Sequence, residues 1–231
     1  MKKIIWIVSF VPLLITLIVM QFLPSQVPMH FDLNGEVDRW GSKNEMLIFP
    51  VVILPIVLIF TLFILYFEKK QKNAEDEKEK AAAASNVKVF GIVTLATEVM
   101  FTAFQIYLLY AAYNSSELEA GADGNMINRI TCILMGLLFI VMGNYVPKTR
   151  LNSSIGLRCT WSMYNDETWI RSNRFGGKVM AAAGAAAVVT ALLVKNGLIS
   201  IALLMEYLTA AVIISLIYAH KVYKEETAKK A

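Results

Sequence analysis

Six long apolar runs dominate this chain, at residues 4–23, 47–67, 89–113, 130–146, 179–194 and 198–219, each 16–25 residues long. An α-helix rises 1.5 Å per residue, so about 20 residues cross the hydrocarbon core of a bilayer. The third run carries Glu98 and the sixth Glu206; the other four hold no charged residue. The fifth is the shortest and needs Lys178 and Lys195 to extend their ammonium groups toward the interface. With 231 residues in all, little chain remains for a separate soluble domain. The pattern predicts an all-α polytopic membrane protein, a six-transmembrane-helix bundle. Composition agrees. Charged residues are 17% of the chain, against about 25% for a soluble domain. That is too little charge for the polar shell of a soluble enzyme or a nucleic-acid-binding domain, so no direct nucleic acid binding is expected. The first run begins after Met-Lys-Lys, as a signal peptide does. Its apolar core is too long for one, and Pro24-Ser25-Gln26 is a poor cleavage site, so it reads as an uncleaved span.

Lys and Arg set the expected orientation. With the N-terminus inside, 18 of them fall on inner segments and 4 (Arg39, Lys43, Arg129 and Lys195) on outer ones. Both termini are therefore expected in the cytoplasm, N-in/C-in, in the cell membrane. The outer loops carry seven acids, Asp32, Glu36, Asp38, Glu45, Glu117, Glu119 and Asp123, for a net charge of −3. The net +4 of the chain is the remainder of this asymmetry, and its two cysteines, Cys132 and Cys159, make no disulfide framework.

The expected organisation is two three-span regions. Residues 1–113 hold an acidic outer loop at 24–46 and a charged cytoplasmic linker at 68–88. Residues 114–231 hold a cytoplasmic loop at 147–178. The segment 68–88 reads as a helical extension of its neighbours or a flexible linker. Span five repeats small residues every four, Gly177, Ala181 and Ala185, a face that lets another helix approach closely. The turn Lys195-Asn196-Gly197 makes spans five and six a hairpin, so span six is the expected partner of that face.

Three groups of polar residues stand out. Glu98 and Gln105 share one face of span three, seven residues apart, and Glu206 lies near the middle of span six. Ionisable groups at that depth are costly and mark proton or substrate paths, or bond to a neighbouring helix. In the outer loop, Asn34-Gly35 is a tight-turn pair that places Phe31 and Val37 on opposite arms of a hairpin. His30, Asp32, Asn34, Asp38 and Trp40 are its candidate ligand-binding residues, with Trp40 suited to the membrane interface. The oxygens of Asp32, Asn34, Glu36 and Asp38 lack calcium-loop spacing, so no metal is expected. In the inner loop, Asn144, Arg158, Trp161, Trp169, Arg171 and Arg174 are the candidates. Asn165 is a helix cap there, with Gly176 as the expected stop, and Trp161, Trp169, Ile170 and Phe175 suit the membrane surface. No HExxH, GxSxG, Walker, GxGxxG or CxxC pattern occurs, so neither catalytic residues nor a cofactor are expected.

The stretches GNYVPKTR (143–150), IGLR with Trp161 (155–161) and WIRSNRFGGK (169–178) resemble the SdpI family. The outer loop VPMHFDLNGEVDRWGSK (27–43) is similar to a domain of unknown function that often precedes it. Family members tend to have Arg-Thr-Pro-Trp-Thr where Arg158-Cys159-Thr160-Trp161-Ser162 stands, and His where Asn173 stands. The resemblance implies an integral membrane immunity protein, not an enzyme, that protects the cell against a secreted antimicrobial peptide toxin. Its implied partners are membrane lipids, the toxin outside, and a cytoplasmic repressor sequestered at the membrane in a signalling role. The alternative drawn from the residues is a small proton-coupled transporter or exporter using Glu98, Gln105 and Glu206.

Overall fold

The computed structural model of the protein describes residues 1–32, 36–114 and 125–229. Asn34 and Gly35, the outer-loop acids Glu117, Glu119 and Asp123, and Lys230 lie outside the described residues. The elements run α1 (Lys2–Val19), β1 (Gln26–Phe31), β2 (Val37–Ser42), α2 (Ile48–Lys72), α3 (Glu77–Tyr113), α4 (Asn125–Tyr145), α5 (Asp166–Leu193) and α6 (Gly197–Ala228). Among the described residues, six helices are long and apolar enough to cross a membrane. Large apolar side chains such as Ile7, Phe22, Leu62, Leu193 and Ile217 point outward, as lipid-facing surfaces require.

Local chemistry sets the helix boundaries. The charged segment 68–88 is helical apart from a short break. α2 ends with Lys69, Lys70 and Lys72 in its last turn, and α3 starts where the Asp76 side chain accepts the Glu79 N–H. Basic residues at a C-terminus and a carboxylate at an N-terminus both complement the helix dipole. Asn165 caps α5 in a reciprocal capping box with Thr168, as its sequence context predicts. The expected stop at Gly176 does not occur. α5 continues unbroken to Leu193. A glycine inside a helix costs only about 1 kcal/mol, and no proline follows to end the helix.

The outer-loop segment forms the expected hairpin. β1 and β2 pair antiparallel, with Phe31 opposite Val37 and Val27 opposite Gly41. Ser42 then caps a 3-10 turn (Lys43–Leu47) in a capping box with Glu45. Apart from this hairpin, the described bundle is all-α.

The helices pack as two groups of three. Ile5, Ile53, Val57, Ile64, Phe67 and Phe90 form a core between α1, α2 and α3, with the Phe63 and Phe90 rings stacked at 5.4 Å. Cys132, Ala187, Ala191 and Leu204 form a second core between α4, α5 and α6. Val89 and Val93 of α3 meet Val146 after α4 and join the groups.

The glycine face of α5 takes α4, not α6 as the hairpin connection suggests. A Cβ added to Gly136 would lie 2.6 Å from the Gly184 carbonyl oxygen, and one on Gly143 would lie 2.5 Å from that of Gly177. Glycines two turns apart on both helices thus let the backbones touch. α6 instead meets α5 through bulkier side chains, with Thr190 and Tyr207 hydroxyls 3.1 Å apart.

Both ends of the bundle are tied. At the end holding both termini, Lys2 pairs with Glu68, Lys78 with Asp166 at 3.0 Å, and Arg171 with Glu225 at 2.6 Å. At the hairpin end, Lys43 donates to the Leu23 carbonyl at 3.4 Å, and the Gly197 N–H donates to Asn125 at 2.9 Å.

Candidate functional site

At the hairpin end, His30 Nδ1 lies 2.6 Å from Asp38 Oδ1 and ties the two strands together. The Asp32 carboxylate accepts the Glu36 N–H at 2.8 Å, and its own N–H donates to the Glu36 carbonyl at 2.8 Å. Asn34 lies outside the described residues. Trp40 is half-buried and stands opposite Pro28. Arg39 pairs with Glu45, whose carboxylate also accepts the Ser42 N–H at 2.9 Å. The hairpin is thereby fastened to the 3-10 turn at the head of α2.

A cleft of about 540 Å³ lies under this hairpin, between the two helix groups. His30, Phe31 and Arg39 stand on one side, Phe49 and Phe104 line its interior, and Asn128, Thr131 and Ile201 stand across from them. Gln105 also lines it and is fully buried. Its amide nitrogen donates to Thr16 Oγ1 at 2.8 Å and to the Met46 carbonyl at 3.2 Å, while its Oε1 has no partner. An apolar cleft with a few convergent polar groups is the usual form of a ligand site. The structure thus brings together His30 from the outer-loop set and Gln105 from the intramembrane set.

The other intramembrane residues are separated. Glu98 is 2% exposed, and neither carboxylate oxygen has a partner. Met1 packs at Gly91 and Thr16 bonds to Gln105, so α1 and α3 run parallel, with Glu98 about level with Ser9. Thr61 on α2 also keeps a buried hydroxyl without a partner. The α1–α3 group therefore holds several unsatisfied polar atoms in its core. Glu206 is exposed on α6 and makes no hydrogen bond or ion pair among the described residues. No polar contact joins it to Glu98 or Gln105.

At the opposite end, the loop between α4 and α5 folds around Trp169. This side chain is fully buried, and its Nε1 donates to the Thr149 carbonyl at 3.0 Å. Asn173 Oδ1 accepts the Leu157 N–H at 2.6 Å, and its amide donates to the Trp169 carbonyl at 3.1 Å. Ser162 donates to the Leu157 carbonyl at 2.6 Å and accepts the Cys159 N–H at 3.0 Å. Asn152 accepts the N–H groups of Ser154 and Ile155, each at 2.8 Å. Gly156 adopts φ +131°, a conformation that side-chain-bearing residues avoid. A Cβ there would also meet the Trp169 ring at 2.7 Å.

For Trp169 the expectation of a place on the membrane surface is corrected, because its side chain is core. Trp161 and Phe175 stay partly exposed. Trp161 packs on His220 with ring centres 4.6 Å apart, and Phe175 stacks on Tyr218 at 3.9 Å. Arg171 reaches Glu225 and Glu226 at 2.6 and 3.6 Å. Loop and α6 are therefore one packed unit. Arg158, Arg174 and Asn144 remain exposed. Asn144 donates to the Ile140 carbonyl at 2.7 Å. A mainly apolar cavity of about 410 Å³ lies beneath, lined by Met142, Leu157, Asn173, Met180 and Ser215 among others. Sequence reading singled out neither Thr149, Asn152 and Ser162 nor the acids Glu225 and Glu226. The density of Ser, Thr and Asn around Gly156 is the signal that points to such a hydrogen-bonded loop.

Comparisons with known proteins bear on both ends. Residues 7–54, which take in most of α1, the hairpin and the start of α2, match the Domain of unknown function (DUF1648). Residues 148–219, which take in the Trp169 loop, α5 and most of α6, match the SdpI/YfhL protein family. The Immunity protein SdpI of Bacillus subtilis (strain 168) is 27% identical over 213 residues, covering 92% of this chain and 90% of that protein. An uncharacterized protein of Archaeoglobus fulgidus is 55% identical over 42 residues, 17% of this chain and 23% of that one. No solved structure matches the chain. Both domains are thus present in order on a multi-pass helical bundle, and residues 148–219 carry the match to the SdpI/YfhL protein family.

Proposed function

We propose that this protein is an integral membrane immunity protein that protects the cell against a secreted antimicrobial peptide toxin, with no catalytic step. The observation that carries this reading is the likeness to the immunity protein of Bacillus subtilis along 92% of this chain and 90% of that one. It spans both helix groups rather than one shared segment. In this reading both termini are cytoplasmic and the hairpin faces out. The acidic surplus of the outer loops attracts a cationic peptide. The cleft under the hairpin accepts its apolar side chains, with His30, Arg39 and Glu45 supplying polar contacts. The signalling arm, a repressor held at the membrane, uses the cytoplasmic end.

Expression in toxin-sensitive cells tests the proposal: survival under challenge is expected, and killing equal to that of cells lacking the protein overturns it. Filling the cleft with Thr131→Phe is expected to reduce protection while the protein still reaches the membrane. One observation favours the second reading, a small proton-coupled transporter or exporter: Glu98 keeps both carboxylate oxygens buried and unpartnered. The double substitution Glu98→Gln with Glu206→Gln separates the two. Protection is retained under immunity by capture and lost under proton-coupled transport.

A further inference from the structure

Four cationic side chains converge on one pocket at the end of the bundle that holds both termini. Lys148, Arg150, Arg174 and Lys178 line a recess of about 420 Å³, with Asn144 and Ile170 beside them. The four come from two elements. Arg174 and Lys178 stand one helical turn apart on α5, on the same face. Lys148 and Arg150 lie on the segment leaving α4.

That segment is held in place by its backbone. The Lys148 carbonyl accepts from Ser85 at 2.6 Å, the Thr149 carbonyl accepts from Trp169 at 3.0 Å, and the Arg150 N–H donates to Asn86 at 3.0 Å. Pro147 lies directly against Gly177, where a Cβ would collide with its ring. The fold therefore brings two cations to the same recess as two others.

None of the four makes an ion pair among the described residues. Of the acids nearby, Asp166 pairs with Lys78, and Glu225 and Glu226 pair with Arg171, while Glu167, exposed on the first turn of α5, makes no ion pair with any of the four. Lys148 sits over the Tyr145 ring at 4.1 Å, a cation–π contact that brings no counter-charge. Like charges gathered without a counter-charge favour an anion between them. Two guanidinium forks and two ammonium groups suit the several oxygens of a phosphate. The position adds to this. Lys148 closely follows the apolar run 130–146, and Lys178 immediately precedes the run 179–194. The pocket thus lies at the edge of the apolar slab, at the level of lipid phosphates.

We propose that this pocket is a phosphate-binding site, taking the phosphate of an anionic phospholipid head group or a free phosphate ion. The inference stands on the pocket alone and does not depend on toxin immunity. The test uses the purified full chain in a neutral detergent, with the midpoint of thermal unfolding followed against added phosphatidylglycerol, phosphatidylcholine or inorganic phosphate. A saturable rise with phosphatidylglycerol and none with phosphatidylcholine is expected if a lipid supplies the group. A comparable rise with inorganic phosphate identifies free phosphate as the source. In Arg150→Ala/Arg174→Ala the apparent Kd is expected to rise at least tenfold, with the midpoint in the absence of anion unchanged. Should that variant fold poorly, Lys148→Gln/Lys178→Gln is expected to show the same weakening. Lys69→Ala/Lys72→Ala removes two cations at the same end but outside the pocket, and is expected to bind as the parent does. The proposal is overturned if neither anion shifts the midpoint, if the pocket variants bind unchanged, or if the Lys69/Lys72 control weakens binding equally.

Discussion

Trp169 and Glu98 show how burial changes the meaning of a residue. Trp169 has its indole N–H bonded to the Thr149 carbonyl in a fully buried site. Trp169→Phe removes the donor and leaves that carbonyl unsatisfied, which costs about 1–3 kcal/mol. A lower unfolding midpoint in detergent, with helical content retained at low temperature, is the expected measurement. Glu98 is the opposite case, a buried side chain whose two oxygens have no partner. Replacing an unsatisfied buried polar group by an apolar one of similar size is neutral or stabilising. Glu98→Met is therefore expected to leave the unfolding midpoint unchanged or raise it. A clear fall would mean that the carboxyl has a partner in the folded protein.

Among the elements, α4 and α5 depend on glycine at matched positions, Gly136 with Gly184 and Gly143 with Gly177. Without a hydrophobic driving force between helices in lipid, close backbone packing is what holds such a pair. Gly184→Val places a branched side chain against the Gly136 carbonyl. It is expected to destabilise by at least the ~1–3 kcal/mol typical of overpacking, seen as a lower unfolding midpoint and a loss of monodisperse protein on size exclusion. Gly176→Ala is the contrasting substitution. Its Cβ would lie 3.3 Å from the Ser215 hydroxyl, which need shift by only a few tenths of an ångström and can keep its bond to the Ala211 carbonyl, and alanine favours the helix. The midpoint is expected to stay within the equivalent of ~0.5 kcal/mol.

For the whole molecule, the distribution of Lys and Arg, 18 on one set of loops and 4 on the other, predicts which end faces the cytoplasm. Single cysteines test it in a Cys132→Ala/Cys159→Ser background. In intact cells a membrane-impermeant thiol reagent is expected to label Asp38→Cys in the hairpin. Lys224→Cys near the end of α6 is expected to label only after permeabilisation. The reverse pattern would invert the bundle and move the acidic loops and the cleft under the hairpin to the inner face.

Much of this architecture is legible in one dimension. The span count follows from run length against bilayer thickness, and the hairpin from Asn34-Gly35 between strand-forming residues. The α5 start follows from Asn165 with acids after it. These are local rules, decided within a few turns of chain. What sequence alone left undecided depends on which surfaces meet. The small-residue face of α5 reads the same whichever helix covers it, and only the matching glycines of α4 select that partner. Trp169 sits among arginines and reads as interfacial, yet tertiary packing buries it under the loop that Gly156 turns. His30 and Gln105 share a cleft although 75 positions separate them, while Glu98 and Glu206, alike in sequence, end in the core and on the surface. Apolar length is a property of each segment by itself. Partner choice, burial and convergence of charge are properties of pairs of segments, and they exist only once the helices have packed.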